Sequence, residues 1–302
     1  MSKPSSKPFQ PLLPTQSTRP ASRFFAAASS TNIIRDQLQI STWLLLGATA
    51  QAPLYLLLGR LAFAPAFLIL LYRILDAYAQ ATGWKHNPLT DAIISKKTSA
   101  QFPDEYNDHG SQPSRDGVVV LLIGTRCSHP LGLLAPGAKQ LGDYFAQMAR
   151  DLDAHGEQFG YMGMSTYLNV NDGTTGNEIM SVAYFQSTAG LHAFAHSEYH
   201  REGWNWWNKT VKEHPHLSIF HEIFEAPKGH WESIYVNSNL AGINTAVKKV
   251  IDEEGQEKWA YPVVDASRGL LKTSAGRMAR SAAKEHEGYD YHDAYDGQSE
   301  KA

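Results

Sequence analysis

Between residues 117 and 226 the hydrophobic pattern switches between strand-like and helix-like spacing in an order that few folds accommodate. Residues 118–123 form a continuous aliphatic run, short and rich in valine, which is typical of a strand buried on both faces. Residues 137–155 then carry apolar side chains three and four apart with polar residues between them. This spacing predicts an amphipathic helix that covers one face of a sheet.

The next two strands are predicted as a β-hairpin. Apolar and polar residues alternate with period two over residues 161–170, and strand-forming residues continue over 178–185. The turn between them contains Asn171, Asp172 and Gly173, whose residue types favour a tight reversal of the chain.

A second helix and a last strand complete the region. Ser187 or Thr188 is positioned to cap a helix that continues to Val211, and residues 217–224 predict the last strand. The order strand–helix–strand–strand–helix–strand is that of a ferredoxin-like βαββαβ domain of the α+β class, which we place at residues 116–240. Because both helices cover one sheet face, the other face needs a cover, and a second copy of the sheet would supply it as a dimeric α/β barrel.

An apolar region precedes this domain. Residues 37–59 contain no charged side chain and are about long enough to cross the ~30 Å hydrocarbon core of a bilayer. A second uncharged run, residues 61–72, is shorter. These runs predict membrane-associated helices over residues 37–76.

Prolines and glycine shape the prediction for this region. Pro53 and Pro65 lie inside the two runs, where a proline removes a helix hydrogen bond and introduces a kink. Two kinked helices that turn at Gly59 and Arg60 would either dip into one leaflet or form a tight hairpin. A pair of buried helices in a soluble domain is the alternative.

The remaining segments are predicted to be irregular. Residues 1–36 combine five prolines with no acidic residue before Asp36, which predicts a disordered basic arm. Its positive charge favours a cytosolic N-terminus. If the apolar region is a hairpin, the catalytic domain is cytosolic too, and the membrane we expect is that of the endoplasmic reticulum. Residues 77–115 are polar and interrupted by glycine and proline, which predicts a connector. Residues 241–302 are predicted as an extension, largely disordered from about residue 277.

Composition excludes several classes of protein. The chain has 27 Lys and Arg against 30 Asp and Glu, a net charge of -3, which argues against a nucleic-acid partner. The single Cys127 cannot form an internal disulfide or supply a cysteine zinc site, and no acyl-transfer partner follows it. Motifs for a Rossmann site, a P-loop and a hydrolase nucleophile elbow are absent from the sequence.

Three segments carry a family resemblance. Residues 191–204, the sequence Phe220-His221-Glu222 and residues 231–237 together resemble the antibiotic-biosynthesis-monooxygenase superfamily, in particular its fungal branch from secondary-metabolite pathways such as that of fumagillin. The resemblance implies a homodimeric ferredoxin-like barrel that oxidises a hydrophobic polyketide or terpenoid. Relatives of this fold include cofactor-free oxygenases, haem enzymes such as aldoxime dehydratases, and proteins with no known chemistry.

Histidines supply the candidate chemistry. His192, His196 and His200 are four residues apart, so on an unbroken helix they share one broad stripe that could ligate haem iron or simply be solvated. On the last strand, His221 shares a face with Ile219, Ile223 and Glu225. An imidazole titrates near neutral pH, so His221 is the predicted general base, although a structural histidine would look the same.

The other candidates are mostly aromatic. Trp204 joins His221 and His196 as the predicted catalytic set, because a tryptophan cluster can wall a flat substrate or, alternatively, anchor a core or an interface. The predicted substrate-binding residues are Trp207, Tyr184, Glu225, His230, Trp231 and Tyr235.

Three functions remain open from the sequence. The first is a membrane-associated monooxygenase that needs no organic cofactor, uses O2 as co-substrate and acts on a hydrophobic small molecule. The second is a haem-dependent dehydratase or related enzyme with His192, His196 or His200 as axial ligand. The third is a non-catalytic, membrane-bound binding or scaffold protein that uses the barrel for dimerisation.

Overall fold

The computed structural model describes residues 8–24, 30–169 and 178–280 of the 302-residue chain. The helices are α1 Ser30–Asp36, α2 Ile40–Leu58, α3 Ala64–Ala81, α4 Ala138–His155, α5 Thr188–Ala195, α6 Glu198–Thr210 and α7 Ser274–Arg277. The strands are β1 Ile94–Ala100, β2 Val118–Cys127, β3 Tyr161–Leu168, β4 Ile179–Phe185, β5 Leu217–Ala226, β6 Tyr235–Ser238, β7 Lys248–Ile251, β8 Glu257–Ala260 and β9 Val263–Asp265.

A four-stranded antiparallel sheet is the centre of the fold. Its order is β3–β4–β2–β5, with α4 following β2 and the pair α5 and α6 following β4. This is the predicted ferredoxin-like order. The hairpin turn predicted at Asn171, Asp172 and Gly173 lies outside the described residues.

The second predicted helix is broken. Helix α5 ends at Ala195, and Ser197 adopts an extended conformation with φ -75° and ψ 167° before α6 begins at Glu198. The Ser197 hydroxyl donates a hydrogen bond back to the Phe194 carbonyl at 2.7 Å, which satisfies the end of α5. The prediction of one unbroken helix carrying three histidines in a stripe is therefore wrong.

Both faces of the sheet are covered, by different parts of the chain. On one face, α4, α5 and α6 pack around a cluster that includes Val119, Phe185 and Phe194. On the other, Val118, Met162 and Tyr184 pack against Phe102, Trp231 and Ile243. Part of the face for which a second copy was predicted is thus covered by the same chain.

The second cover is built from segments predicted to be irregular. Strand β1, from the predicted connector, pairs with β6 and β9, and β7 pairs with β8. These strands are short and polar, so their sequences give little periodicity. The segment predicted as a connector, residues 77–115, thus contributes strand β1, and the predicted extension from residue 241 contributes β7, β8 and β9.

The N-terminal arm is ordered over residues 8–24. Pro11, Gln16 and Arg23 form β-bridges with Val264, Trp259 and Ser165 respectively. The arm finds partners on the folded domain that its own composition does not reveal, so the prediction of disorder is wrong for these residues. Residues 1–7 and the tail from 281 lie outside the described part of the chain.

Helices α2 and α3 expose their apolar side chains. The stretch Ile40–Ala81 is long and apolar enough to cross a membrane by length and composition, with a mean hydropathy of 2.1 and 6% of the window buried. The chain turns at Gly59, whose φ of +58° suits glycine. Neither helix has a buried residue, so the two helices are not buried against the described part of this chain.

Prolines fit this pair of helices differently. Pro53 lies inside α2, whereas Pro65 lies in the first turn of α3, where the missing N–H leaves no helical hydrogen bond unmade. Pro65 therefore does not force the kink that was predicted there.

Candidate active site

A row of four residues, three of them polar and here called the polar row, crosses the helix-covered face of the sheet. Thr166, Ser181, Ile123 and His221 lie opposite one another on β3, β4, β2 and β5. On one side of this row lies the apolar cluster around Phe185, and on the other a second cluster built around Cys127, Leu141 and Leu217. Polar groups between two apolar clusters are what a small-molecule site needs.

His200, in the first turn of α6, lies near the His221 end of this row, close enough for the charge of His221 to affect it. Its ring stacks on Trp204 with centroids 6.3 Å apart and meets the edge of Phe194 at 5.9 Å. The ring is half-buried, and its Nδ1 is buried with no hydrogen-bond partner in the described part of the chain. A buried imidazole nitrogen without a partner is rare in folded proteins, and this makes His200 a candidate for a functional role.

Burial sets the protonation state of His200. Desolvation lowers the pKa of its imidazole below the ordinary 6.5, and nearby His196 and His221 lower this pKa further. The Ala195 carbonyl partly offsets the pKa shift, although it does not have hydrogen-bond geometry to Nδ1. The ring is consequently neutral at physiological pH and can accept a proton.

Three predicted catalytic residues surround His200. His196 and His221 are close enough to influence its charge, and Trp204 forms the stack. All three are exposed, so the candidate site formed by α6 and the edge strand β5 is open to solvent. The structure thus brings together the predicted catalytic set, but the buried member is His200, which the sequence indicated only as a haem ligand.

A pair of hydroxyl groups lies at the far end of the polar row. Thr166 Oγ1 and Ser181 Oγ are 2.8 Å apart, and both residues are buried. Ser181 is two strands away from His221, about 10 Å at the usual strand spacing. The period-two alternation around Thr166 was the available signal, since it places a hydroxyl among core residues.

The predicted substrate-binding residues do not form one pocket. Tyr184, Trp231 and Tyr235 lie on the opposite face of the sheet, and Trp231 there packs on Phe102 with ring centroids 5.7 Å apart. Burial raises the pKa of both tyrosine hydroxyls. The sheet separates these aromatic residues from His200 and His221, so they do not lie beside the predicted catalytic set.

The remaining predicted residues lie around the site or outside it. Trp207 packs against the cluster of Cys127 and Leu217, next to the site. Glu225 shares the His221 face of β5 and accepts a hydrogen bond of 2.7 Å from the Thr188 hydroxyl. His230 is exposed, and its Nδ1 lies 3.1 Å from the Arg280 guanidinium, away from the polar row.

The histidines fit a haem ligand poorly. An axial imidazole is normally oriented by a hydrogen bond from its second ring nitrogen. Within residues 8–24, 30–169 and 178–280, the side chains of His192, His196 and His200 make no such hydrogen bond, and His192 and His196 are exposed. The same ranges hold no group of three or more His, Cys, Asp or Glu residues placed to bind a metal ion.

Comparisons with known proteins point to one family. The family model "Monooxygenase af470-like" matches residues 118–243. Monooxygenase af470 from Aspergillus fumigatus is 30% identical to this chain over 275 residues, covering 90% of this chain and 98% of that protein.

Likenesses to solved structures are more distant. An aldoxime dehydratase crystallised with butyraldoxime shows 12% identity and a TM-score of 0.38, over 49% of this chain and 39% of that one. SnoaB, a cofactor-independent oxygenase from Streptomyces nogalater, shows 12% identity and a TM-score of 0.25, over 36% of this chain and 91% of that one. Likenesses at these values do not extend to function.

Proposed function

We propose that this chain, which belongs to the monooxygenase af470-like family, oxidises a hydrophobic small molecule with O2 at the site formed by α6 and β5. Membership of that family makes the chain a monooxygenase-type enzyme. The observation that carries the proposal is the half-buried His200: its Nδ1 has no hydrogen-bond partner in the described part of the chain, His221 and Trp204 lie beside it, and burial keeps its ring neutral.

The proposed reaction needs no organic cofactor. His200 removes a proton from a substrate that is acidic at carbon or oxygen, such as a phenol or an enol. The resulting anion transfers one electron to O2, and the two radicals combine as a peroxide at the substrate carbon. When the O–O bond breaks, a CH2 group has become a carbonyl: one oxygen atom enters the product, the other leaves as water, and the substrate supplies all four electrons.

The site indicates the kind of substrate. Trp204 offers an exposed aromatic wall beside the base, and the Thr166–Ser181 hydroxyl pair lies about 10 Å from His221 across the sheet. A flat molecule of two or three fused rings with a polar group at each end would match this spacing. We therefore propose a polyketide or terpenoid intermediate of secondary metabolism as the substrate class.

Association with a membrane is part of the proposal. The apolar side chains of α2 and α3 are exposed, as in Leu56 at 84% and Leu57 at 80%, and water would strongly disfavour such a surface. We propose that these helices enter the endoplasmic-reticulum membrane and that the enzyme domain lies in the cytosol. A hydrophobic substrate would then be concentrated in the same bilayer.

A homodimer is proposed on the uncovered part of the sheet. The additional strands cover Val118 and Tyr184 but leave Phe220 and Phe224 of β5 exposed at 38% and 52%. Within the part of the chain that the structure describes, strand β5 is also an edge strand with one unpaired side. Apolar side chains beside a free edge favour pairing with a second copy.

Oxygen uptake by the full-length protein in detergent tests the reaction. The probe is a series of CH-acidic polycyclic phenols that includes anthrone. We expect His200→Asn to lower the rate by about 10²–10⁴-fold, the usual contribution of a general base. The matched control is His192→Asn, an exposed histidine of α5, which should retain the wild-type rate.

Two results would contradict the proposal. If His200→Asn consumes oxygen at the wild-type rate, His200 is not the base. If the purified protein shows a strong Soret absorption band that His200→Asn abolishes, the haem enzyme replaces the cofactor-free one. Circular dichroism of the two purified variants shows whether either has a folding defect, independently of its rate of oxygen uptake.

A further inference from the structure

Hydrogen bonds join one loop of the enzyme domain to the segment that precedes the N-terminal end of α2. Gln37 precedes α2 by three residues, and its side-chain amide contacts the backbone of the loop twice. Its Nε2 donates to the Leu131 carbonyl at 2.7 Å, and its Oε1 accepts from the Leu133 N–H at 2.9 Å. This pair of hydrogen bonds fixes the loop at the level where the apolar helix begins.

The loop presents two leucines to solvent. Residues 128–137, named here the leucine loop, follow β2 and contain Leu131 and Leu134, which are 54% and 79% exposed. A 3-10 turn holds them in place, with the Leu134 N–H donating to the Leu131 carbonyl at 3.0 Å. The buried Cys127 thiol donates to the Gly132 carbonyl at 3.1 Å and anchors the turn to the domain. The leucines are therefore an ordered apolar projection.

The first turns of α2 indicate where the leucine loop lies relative to the membrane surface. Ile40 and Leu44 are 80% and 70% exposed, and Trp43 donates its indole N–H to the Arg35 carbonyl at 3.1 Å. Tryptophan favours the membrane–water interface, where its ring is apolar and its N–H is satisfied. Trp43 is the fourth residue of α2, and Gln37, which binds the leucine loop, lies three residues before that helix begins. The leucine loop thus lies beside the end of α2 that carries the interfacial tryptophan.

We propose that the leucine loop is a second membrane contact, in which Leu131 and Leu134 enter the outer part of the leaflet beside α2. This proposal rests on the membrane association proposed above. One flexible segment would leave the domain free to turn above the bilayer, whereas two contacts fix its orientation. The occupant of this surface is therefore a lipid bilayer.

The orientation has a consequence for substrate access. Cys127, at the start of the loop, pairs with Leu217, and His221 lies four residues further along β5. Four residues of strand span about 13 Å. The proposed contact thus holds the site close to the lipid surface, where a hydrophobic substrate is concentrated.

Fluorescence quenching on the full-length protein in phosphatidylcholine–phosphatidylethanolamine vesicles tests this contact. An environment-sensitive nitrobenzoxadiazole label is attached to Leu134→Cys, to Leu57→Cys in α2 and to Lys228→Cys beyond the far end of β5. Wild-type protein measures the labelling background, because Cys127 is buried. Lipids that carry a nitroxide on the upper acyl chain act as the quencher.

We expect the labels at positions 134 and 57 to show blue-shifted emission and to be quenched, and the label at position 228 to show neither effect. A quenched label at 57 with a water-like, unquenched label at 134 would overturn the leucine-loop contact and leave the membrane association standing. An unquenched label at 57 would overturn both. Quenching at all three positions would also overturn the proposal, because the domain would then have no preferred orientation.

Discussion

At the scale of single residues, the protonation of His200 gives a prediction about pH. The catalytic form is the neutral ring, so activity is present above the His200 pKa and is lost as pH falls through it. Burial lowers this pKa below 6.5, so the acidic limb of kcat/KM for oxygen uptake should have its midpoint below pH 6.5.

A variant of Trp204 tests the cause of this shift. Trp204→Ala removes the stacked indole and hydrates His200, which should raise the pKa of His200 towards its ordinary value and move the acidic limb to higher pH. His86→Asn, an exposed residue paired with Asp91, is the control and should leave the limb unchanged. If Trp204→Ala leaves the acidic limb where it is in the wild type, burial by Trp204 does not set the proton affinity of His200.

Residue-scale prediction from the sequence was good along each strand and poor across strands. Alternation along β5 placed His221 on the correct face with Ile223 and Glu225. The hydroxyl pair Thr166–Ser181 depends on the register between β3 and β4, which the sequence of either strand does not specify. The proposed role of His200 depends on the burial of its ring. That burial follows from the chain break at Ser197, after which helix α6 begins at Glu198.

At the scale of elements, two helical glycines make a matched pair for the helix layer. A Cβ on Gly190 of α5 would lie 2.2 Å from the Phe159 carbonyl oxygen, whereas a Cβ on Gly142 of α4 would meet nothing within 4 Å. We expect Gly190→Ala to lower the free energy of unfolding by about 1–3 kcal/mol, because the backbone must move. Gly142→Ala should raise the same free energy by about 0.5–1 kcal/mol through helix propensity.

Urea titrations of the protein in mild detergent, followed by tryptophan fluorescence, measure both variants. Equal midpoints for Gly190→Ala and wild type would mean that α5 does not pack against the Phe159 turn as described.

The elements themselves were predictable where they were long: six of them follow from periodicity between residues 117 and 226. Strand β1 was missed because its sequence, Ile94-Ser-Lys-Lys-Thr-Ser-Ala100, owes its burial to partners distant in the chain.

At the scale of the whole molecule, the ordered N-terminal arm ties the sheet to the C-terminal strands. Composition alone predicted disorder because five prolines and few apolar residues leave the arm no core of its own. The domain supplies the missing partners: Phe24 is buried in the helix-side cluster, and Phe9 packs against the cluster of Val264 and Leu271. Such order is a property of the assembled chain rather than of the segment.

Arg19 is the side chain through which this arm is best tested. Its guanidinium lies 5.0 Å from the ring centroid of Tyr161 and 4.8 Å from that of Trp259, and its Nη2 donates to the Tyr161 carbonyl at 2.9 Å. Burial lowers the pKa of Arg19, yet an arginine stays charged, so its contacts must compensate for lost hydration. Arg19→Ala removes both ring contacts and a charge-assisted hydrogen bond, which should lower the free energy of unfolding by about 2–3 kcal/mol. Arg23→Ala is the control, because the Arg23 bridge to β3 uses backbone atoms and should persist. Urea midpoints that fall equally for the two variants would show that loss of arm charge, rather than the Tyr161–Trp259 contact, destabilises the protein.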